Sequence, residues 1–342
     1  MPLSKAGRSG VDVYIHTDGD VVPPPKGSNF RAHSFWAGQK RNLTALRERW
    51  NCCWRAPANV DSTYKYEILL EVAARRPGWN GLLTDSDVLI QCSADELRAR
   101  FKRFGVPLVV SGERRWYPIP AHYADPFGPS SGSWKERYTL RHRRQFYPNS
   151  GLIMGTARGF EALASAVRAT PRFPCCAFDG DQNGYRLDPC SSCRPIRTFT
   201  APVSCTVEDQ ACLQVALASK RHAPAHVVDV NSSIFLSLNE LTPSDLALHK
   251  GRVAFRHTGQ VPCVLHSNGH KGVLSYLEPL VGQAAGGMTP WALSPKREDL
   301  IRGYAHERKR WQNGVWDRFR LAEHDTHYTR HQSGTRGIRG PL

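Results

Sequence analysis

The sequence predicts an α/β fold with a mostly parallel central sheet in a single domain. Short apolar runs rich in strand-forming residues recur along the chain, and segments with helical spacing lie between several of them. A helix between two strands allows those strands to run parallel in one sheet. The 342 residues, 40% of them hydrophobic, can bury a large core, which excludes wholesale disorder, collagen and coiled coil.

The N-terminal part of the predicted domain begins with a strand over 11–16, which ends at the turn-forming sequence Thr-Asp-Gly-Asp. Three consecutive prolines at 23–25 forbid regular structure, and a polar stretch dotted with aromatic residues continues to about residue 57. The apolar spacing over 64–74 predicts an amphipathic helix, ended by a Pro-Gly pair. In 81–90, hydrophobic residues flank an acidic pair, as expected for a buried strand that leads into a polar turn.

The middle of the chain continues the alternation of helices and strands. Ser93 is a candidate N-cap for a helix that runs to about residue 104, because its hydroxyl can accept hydrogen bonds from the first-turn amides. A strand is predicted over 106–111. After a loop rich in Pro, Gly and Ser, we expect a turn and strand over 149–155 and a helix over 160–168.

The C-terminal part contains a cysteine-rich insertion over 171–205 and a helix over 208–217, whose first turn carries two carboxylates that the helix dipole favours. Three further strands are predicted at 227–230, 233–238 and 261–266. Toward the C-terminus the apolar periodicity fades into a charged segment. We therefore expect one domain over 10–285 and a basic, partly disordered or helical tail over 286–342.

The chain is strongly basic, with 46 Lys and Arg residues against 30 Asp and Glu and a formal net charge of +16. This charge is compatible with nucleic acid, anionic lipid or phosphorylated small molecules, and also with simple solvation of the surface. Nucleic acid is disfavoured because the sequence has no zinc-finger spacing, no RRM-type aromatic signature and no heptads after a basic region. No apolar run approaches the roughly 18 residues of a membrane span.

Ten cysteines leave the redox compartment open. Five of them lie close together in the insertion, at positions 175, 176, 190, 193 and 205. Cys190 and Cys193 could form half of a structural zinc site, since two thiolates across a tight turn can share one tetrahedral ion. Disulfides that pin a surface insertion explain the cluster as well and would indicate an oxidising compartment. The N-terminus lacks the apolar stretch of a secretory signal. A fragment cut from a longer precursor would lack such a stretch as well.

Asp85 and Asp87, at the end of an apolar run, are the most informative local feature. Burying two carboxylates without compensation is costly, and the usual compensation is a divalent cation held by carboxylate oxygens. In nucleotide-sugar transferases such an Asp-x-Asp pair holds a Mn²⁺ or Mg²⁺ ion that bridges the diphosphate and stabilises charge on the leaving nucleotide. A solvated turn is the alternative, and Asp18 and Asp20 form a second Asp-x-Asp match.

Further candidate residues follow two later elements. His266 ends a predicted strand, and a neutral imidazole can complete the coordination of a metal otherwise held by oxygens. His270 is a rival ligand, and Lys271 with the Gly269 backbone could meet phosphate oxygens. Asp209 could orient or deprotonate an acceptor hydroxyl. The alternative interpretations are a structural histidine and simple stabilisation of the first turn of a helix.

Six segments in collinear order, over about residues 64–280, resemble the glycosyltransferase domain of the procollagen lysyl hydroxylases and their relatives. They correspond to that family's metal-binding strand and helix, its next strand with an aromatic-proline turn, an Asn-Ser-Gly segment, an acidic helix start, an acidic strand pair and a His-x-Asn-Gly element. In this sequence they are Thr84–Ile90 with Glu96–Phe101, Val109–Glu113 with Trp116 and Pro118, Tyr147–Gly155, Glu208–Gln210, Val228–Phe235 and Val264–Gly269.

The resemblance implies a GT-A-type, Rossmann-like fold that binds UDP-glucose or UDP-galactose with Mn²⁺ or Mg²⁺. It also implies transfer of the hexose to an acceptor hydroxyl, including one on hydroxylysine-linked or other protein glycans, in a family that acts in the secretory pathway. The implied metal ligands are Asp85, Asp87 and His266. The implied donor-binding residues are Lys65, Thr84, Asp85, Ser86, Asn268, Gly269 and Lys271. The implied acceptor-side catalytic residues are Trp116, Asp209 and Gln210.

The chain departs from the family pattern at several points. The family has two residues between its metal carboxylates where this chain has one, and the turn after the histidine is one residue shorter here. The 171–205 insertion has no counterpart, and the aromatic residue that stacks on uracil is not identified, with Tyr14 and Thr17 as candidates. A second hypothesis is therefore a catalytically inactive GT-A-fold protein that binds polyanions, nucleic acid or anionic glycan, through its basic surface.

Overall fold

The computed structural model describes nine ranges of the chain and ten separate residues. The ranges are 10–17, 21–35, 80–114, 143–169, 176–177, 186–187, 209–219, 221–268 and 289–293. The separate residues are Lys65, Tyr66, Leu70, Ala73, Val273, Leu274, Leu277, Glu278, Leu280 and Val281.

The described residues form fourteen strands, three α-helices and one 3-10 helix, Pro243–Asp245. The strands are β1 (Val11–His16), β2 (Phe30–Phe35), β3 (Asn80–Asp85), β4 (Val88–Ile90), β5 (Leu108–Glu113), β6 (Tyr147–Thr156), β7 (Cys176–Ala177), β8 (Arg186–Leu187), β9 (Val227–Asp229), β10 (Phe235–Ser237), β11 (Leu246–His249), β12 (Arg252–Phe255), β13 (Val264–His266) and β14 (Trp291–Ala292). The α-helices are α1 (Ala94–Arg103), α2 (Ala157–Ala169) and α3 (Asp209–Ala218).

Six strands form the central sheet in the order β2-β1-β3-β6-β5-β9. β1 pairs in parallel with β2 and β3, and β5 pairs in parallel with β9. β6 runs antiparallel to both of its neighbours, β3 and β5. Five strands therefore point in one direction and one opposes them, so the predicted α/β class with a mostly parallel central sheet is confirmed.

Both faces of the central sheet are covered by other elements of the fold. Successive side chains of a strand point to opposite faces, so each strand can pack against both of these layers. On β1, Tyr14 packs in a cluster with residues of α2 and α3, whereas Val13 and Ile15 pack with α1 and β4. The same alternation sends Leu83 and Leu82 of β3 to opposite faces. The sheet is thus the middle layer of three.

A smaller second sheet has the order β10-β13-β4-β14. β13 runs parallel to β10 and antiparallel to β4, and β14 runs antiparallel to β4. The strand and polar turn predicted over 81–90 correspond to β3 and the turn at 86–87, after which the chain continues in β4 of the second sheet. Cys92, just after β4, forms a disulfide with Cys263, just before β13, with a Cα–Cα distance of 5.0 Å. Cys212 is also disulfide-bonded.

α1 begins at Ser93, as the sequence predicts. Ser93 has an extended backbone (φ −71°, ψ 158°), and its hydroxyl accepts a hydrogen bond from the Glu96 N–H at 3.1 Å. Leu97 and Phe101 of this helix are buried against the central sheet. The helices predicted over 160–168 and 208–217 correspond to α2 and α3.

Two predicted segments are described only in part. Four residues of the helix predicted over 64–74 are described, and all four are helical. The insertion over 171–205 contributes the antiparallel pair of β7 and β8. Its cysteine side chains, and with them the choice between zinc and disulfides, lie outside the described residues.

Strand β2 lies in the polar stretch where the sequence predicts no strand. Its polar side chains are satisfied by β1, because Arg31 donates to the fully buried Asp12 carboxylate at 2.8 and 2.7 Å and His33 lies 2.8 Å from the same group. Strand alternation alone does not reveal such pairing, since Arg31 and His33 resemble solvent-facing residues in the sequence.

Strand β14 lies in the range that the sequence assigns to the basic tail. Trp291 is 2% exposed, and its indole N–H donates to the Val22 carbonyl oxygen at 2.9 Å. Leu293 also exchanges backbone hydrogen bonds with Val22 and Val88. The folded unit therefore extends at least to residue 293. None of the described helices has the length and apolar character needed to cross a bilayer.

Candidate metal centre

Two strand ends and one turn meet at a single point of the molecule. Asp85 is the last residue of β3, Asp87 lies in the turn before β4, and His266 is the last residue of β13. The register of β13 with β4 sets His266 opposite Val88, and the Ser267 N–H donates to the Asp87 carbonyl oxygen at 2.9 Å. This antiparallel pair therefore brings Asp87 and His266 together although they are distant in the sequence.

The three predicted metal ligands form one cluster. The His266 Nε2 atom lies 3.3 Å from Asp87 Oδ1 and 3.8 Å from Asp85 Oδ2. One donor atom from each residue lies within 4.8 Å of the other two. Two carboxylate oxygens and one imidazole nitrogen suit divalent cations such as Mn²⁺. The donor set therefore fits a divalent cation, which these three residues would hold.

His266 is buried, and its ring packs directly against the backbone of β6. A Cβ atom at Gly151 would lie 2.0 Å from the His266 Cε1 atom, so a glycine is required at that position. The Nδ1 atom of His266 has no hydrogen-bond partner among the described residues. Burial opposes the charged form, but Asp87 and Asp85 raise the pKa of His266 above its ordinary value. Packing rather than a hydrogen bond to Nδ1 therefore directs Nε2 at the two carboxylates.

Lys65 connects one of the candidate metal-ligand carboxylates to a residue predicted to face the acceptor. Its side chain is only 3% exposed, and its Nζ atom lies 3.0 Å from Asp85 Oδ1 and forms an ion pair with Asp209. Burial would lower the pKa of Lys65, but Asp209 and Asp85 raise it well above its usual value. Lys65 therefore pairs with the Oδ1 atom of Asp85, whereas the Oδ2 atom of the same carboxylate lies near His266.

His16 belongs to the site although it was not among the residues predicted from the sequence. It ends β1 and is the register partner of Asp85 in β3, and its Nδ1 atom lies 3.7 Å from Asp85 Oδ1. Burial would raise the pKa of Asp85, but Lys65, His16 and His266 hold it well below its usual range. His16 could have been found from its position, since the carboxyl ends of neighbouring parallel strands meet at one sheet edge.

Asp209 and Gln210 begin α3 and lie beside the metal ligands. Asp209 contacts Lys65 through its carboxylate. Gln210 is buried, and its Oε1 atom accepts a hydrogen bond from Asn149 Nδ2 at 2.9 Å. Its Nε2 atom donates to Glu113. Both residues are therefore joined to the interior of the site rather than exposed on the helix surface.

Glu113 is a second residue of the site that was not among the residues predicted from the sequence. It is 1% exposed and accepts hydrogen bonds from the side-chain amides of Asn149, Gln210, Asn239 and Asn268. Burial raises the pKa of Glu113 to about 7. The amide donors favour the ionised form and therefore oppose this rise. A carboxylate at the end of an otherwise apolar strand is the signal that could have identified it.

The remaining predicted donor-side residues lie in different environments. Asn268 is half-buried beside Glu113, and Ser86 is half-buried in the turn between the two aspartates. Thr84 is buried, and its hydroxyl donates to the Asp85 carbonyl oxygen at 2.9 Å, so it already has a partner within the chain. Outside the described residues lie Trp116, Gly269, Lys271, His270, Asp18 and Asp20.

The two candidates for stacking on uracil are both buried, with Tyr14 6% and Thr17 8% exposed. The Tyr14 ring stacks on His33 with 4.7 Å between ring centroids and an interplanar angle of 15°. His33 therefore covers one face of Tyr14, and little of the tyrosine is open to a nucleobase.

Comparison of the sequence with models of known protein families gave no match, and no characterised protein showed significant similarity to the chain. A functional assignment therefore depends on the residues of the site and on their position in the fold.

Proposed function

We propose that this chain is a metal-dependent glycosyltransferase of GT-A type that moves glucose or galactose from UDP to an acceptor hydroxyl. The observation that carries the proposal is the convergence of Asp85, Asp87 and His266 where β3, β4 and β13 meet. A Mn²⁺ or Mg²⁺ ion held by these residues would offset the negative charge on a departing nucleoside diphosphate.

The position of the cluster in the central sheet supports a nucleotide site. β2 lies on one side of β1 and β3 on the other, so the strand order reverses at β1. In open α/β sheets, ligands bind in the crevice outside the carboxyl ends of the strands at such a reversal. His16 ends β1 and Asp85 ends β3, and both residues therefore lie at this crevice.

The charged residues around the cluster suit the two halves of a transfer reaction. Asp85 and Asp87 offer carboxylate oxygens on the donor side, and the Lys65 ammonium holds Asp85 in place. On the acceptor side, the Asp209 carboxylate could accept a hydrogen bond from the attacking hydroxyl and take its proton. The ion pair with Lys65 fixes where that carboxylate lies. Exclusion of water from the closed site would prevent hydrolysis from competing with transfer.

The test is release of UDP from UDP-glucose and UDP-galactose, with and without Mn²⁺, by the wild type and by Asp87→Ala. We expect metal-dependent release from one of these donors, and we expect Asp87→Ala to abolish it. Asp95→Ala is the matched control, because Asp95 is a 62% exposed side chain on α1, and this variant should retain wild-type release. No release from either donor, or equal release by Asp87→Ala, contradicts the proposal.

The formal charge of +16 favours one other candidate, a polyanion-binding protein that keeps the fold without catalysis. Titration with heparin and with RNA at increasing salt distinguishes the two functions. Strong binding that weakens steeply with salt, in a protein that releases no UDP, would support polyanion binding.

A further inference from the structure

Glu113 is the centre of a group of amide side chains beside the candidate metal centre. Its Oε2 atom accepts hydrogen bonds from Asn268 Nδ2 at 2.9 Å, Asn149 Nδ2 at 3.3 Å and Asn239 Nδ2 at 3.4 Å, and its Oε1 atom accepts one from Gln210. These donors replace the solvent that the carboxylate loses on burial. We call these five residues the Glu113 amide cluster.

The carboxylate determines which way each amide of the cluster points. Above its pKa of about 7 the Glu113 carboxylate is ionised and can only accept hydrogen bonds, and a side-chain amide has donors at one end and an acceptor at the other. Each of the four amides must therefore direct its NH₂ group toward Glu113 and its carbonyl oxygen away from it. Without Glu113, the two orientations of the Asn239 and Asn268 amides would differ little in energy, whereas Asn149 and Gln210 have other hydrogen bonds that fix theirs.

Two of the four carbonyl oxygens have partners inside the protein. Asn149 Oδ1 accepts from the Gly151 N–H at 2.9 Å, and Gln210 Oε1 accepts from Asn149 Nδ2 at 2.9 Å. The carbonyl oxygens of Asn239 and Asn268 accept no hydrogen bond from the described part of the chain. These two oxygens are therefore the acceptors of the cluster that no described group uses.

Asn239 and Asn268 both lie next to His266. Asn268 follows His266 by two residues, and the N–H of Leu238, which precedes Asn239, donates to the His266 carbonyl oxygen at 2.8 Å. Both asparagines are half-buried, whereas Glu113 is buried. The ends of the amides turned away from Glu113 are therefore the outer ends, adjacent to the metal centre.

Fixed carbonyl oxygens accept hydrogen bonds from donor groups such as hydroxyls. The oxygens of an ionised diphosphate only accept hydrogen bonds, whereas sugar hydroxyls can donate them. We propose that Glu113 is a positioning residue that directs the carbonyl oxygens of Asn239 and Asn268 at hydroxyl groups of the hexose attached to the nucleotide. This inference rests on the proposed function for the nature of the donor and adds which residues recognise its sugar.

UDP and a UDP-hexose differ only in the sugar, so the ratio of their affinities isolates sugar recognition from nucleotide and metal binding. The experiment is calorimetric titration with UDP, UDP-glucose and UDP-galactose, each with Mn²⁺, of the wild type, Glu113→Met and Glu113→Gln. Methionine fills a similar volume but removes the carboxylate acceptor, whereas glutamine keeps one strong acceptor oxygen. We expect Glu113→Met to weaken the preferred UDP-hexose about tenfold relative to UDP, and Glu113→Gln to restore most of that loss.

Asn239→Ala tests the same inference while the Glu113 carboxylate keeps three of its four amide donors, and it decides the matter if Glu113→Met does not fold. It removes one carbonyl acceptor directly, so we expect UDP-hexose to bind about fivefold more weakly while the affinity for UDP is unchanged. Asn231→Ala is the matched control, because Asn231 is an exposed asparagine just before β10. It should behave as the wild type with all three ligands.

The outcomes separate this inference from the proposed function. Equal weakening of UDP and UDP-hexose by Glu113→Met, or an unchanged ratio in Asn239→Ala, overturns sugar recognition by the cluster and leaves the proposed function in place. A wild-type protein that binds neither UDP nor a UDP-hexose with Mn²⁺ overturns the proposed function, and the inference is overturned with it.

Discussion

Gly151 controls the position of a side chain that belongs to a different sheet. It lies inside β6, where glycine ordinarily weakens a strand because it adds backbone freedom and offers no side chain to pack. The His266 ring occupies the space that a Cβ atom would need, with Cε1 only 2.0 Å from that position. The absence of a side chain at Gly151 is therefore what allows Nε2 of His266 to reach Asp85 and Asp87.

We predict that Gly151→Ala displaces the His266 ring and weakens Mn²⁺ binding about 10- to 100-fold, as loss of a supporting contact around a metal ligand typically does. Calorimetry with Mn²⁺ in the presence of UDP measures the change. Gly155→Ala, on the same strand, is the control, because its Cβ would lie 2.9 Å from the flexible Cδ1 end of Leu108 and far from the ligands in the pairing register. Wild-type Mn²⁺ affinity in Gly151→Ala would show that His266 is not a ligand.

Asp245 stabilises the fold through a buried carboxylate. Arg114 Nη2 lies 2.8 Å from its Oδ1 atom, the Thr242 N–H donates to Oδ2 at 2.7 Å, and His257 contacts the same group. Burial alone would raise the pKa of Asp245, but these partners lower it to about 2 from an ordinary value of 3.8. A lowered pKa adds stability above the ordinary value, and that stability is lost as the pH falls toward 2.

We predict that Asp245→Asn lowers the free energy of unfolding by about 1 kcal/mol at pH 7, less than the pKa shift implies because solvent screens part of the interaction. The difference from wild type should narrow as the pH falls from about 4 toward 2, because the wild-type carboxylate then becomes protonated. Urea denaturation at pH 7, 5, 4 and 3 measures it. Asp95→Asn changes an exposed carboxylate, and its difference from wild type should stay small throughout. A difference in the free energy of unfolding between Asp245→Asn and the wild type that does not depend on pH would contradict this account.

The pair of β4 and β13 positions two of the three candidate metal ligands, one just before β4 and one at the end of β13. Asp87 and His266 lie at one end of this antiparallel pair, and the disulfide between Cys92 and Cys263 closes the other end. The two residues of the disulfide are separated by 171 positions in the sequence. The crosslink therefore fixes the register of two short strands that each contribute three residues to the sheet.

We predict that Cys92→Ser with Cys263→Ser lowers the free energy of unfolding by about 2–4 kcal/mol and weakens Mn²⁺ binding in the native state. Urea denaturation and calorimetry measure the two effects. Comparing wild type and the double variant with and without reductant isolates this crosslink, because Cys212 is also disulfide-bonded. Unchanged Mn²⁺ affinity in the double variant would show that strand pairing alone holds the ligands.

Across the whole molecule, the candidate metal centre joins two sheets. Asp85 belongs to the central sheet, whereas His266 belongs to the second sheet and Asp87 leads into it. A cation bound to all three would add a link between two sheets that apolar packing and hydrogen bonds, such as those from Asn239 and Asn268 to Glu113, already hold together. Binding to the folded state alone stabilises that state in proportion to the logarithm of ligand concentration.

We predict that Mn²⁺ with UDP, at about 100 times the dissociation constant, stabilises the protein by about 2.7 kcal/mol. For a chain of this length, that corresponds to a rise in Tm of about 4 °C. Thermal denaturation followed by circular dichroism measures it, and Asp87→Ala should show no rise. A rise of equal size in Asp87→Ala would place the cation elsewhere on the protein.

The sequence predicted the central elements because their signals are local, such as strand alternation and the cap at Ser93. It also predicted Asp85, Asp87 and His266, which the structure brings together. The signal in each case was a polar side chain that follows an apolar strand. It did not predict that β4 leaves β3 for another sheet, because that depends on pairing with the distant β13. His16 and Glu113 were missed for the same reason, since their contacts come from the order of strands in space.

Strand β14 sets a practical lower limit on the length of a stable fragment. A truncated chain that ended at residue 285 would lack Trp291 and leave β4 as an open edge of the second sheet, with unpaired backbone groups between apolar side chains. Such edges recruit other chains and promote aggregation. A recombinant fragment intended for crystallisation or assay therefore has to continue past Leu293, or its insolubility would be mistaken for a property of the candidate site.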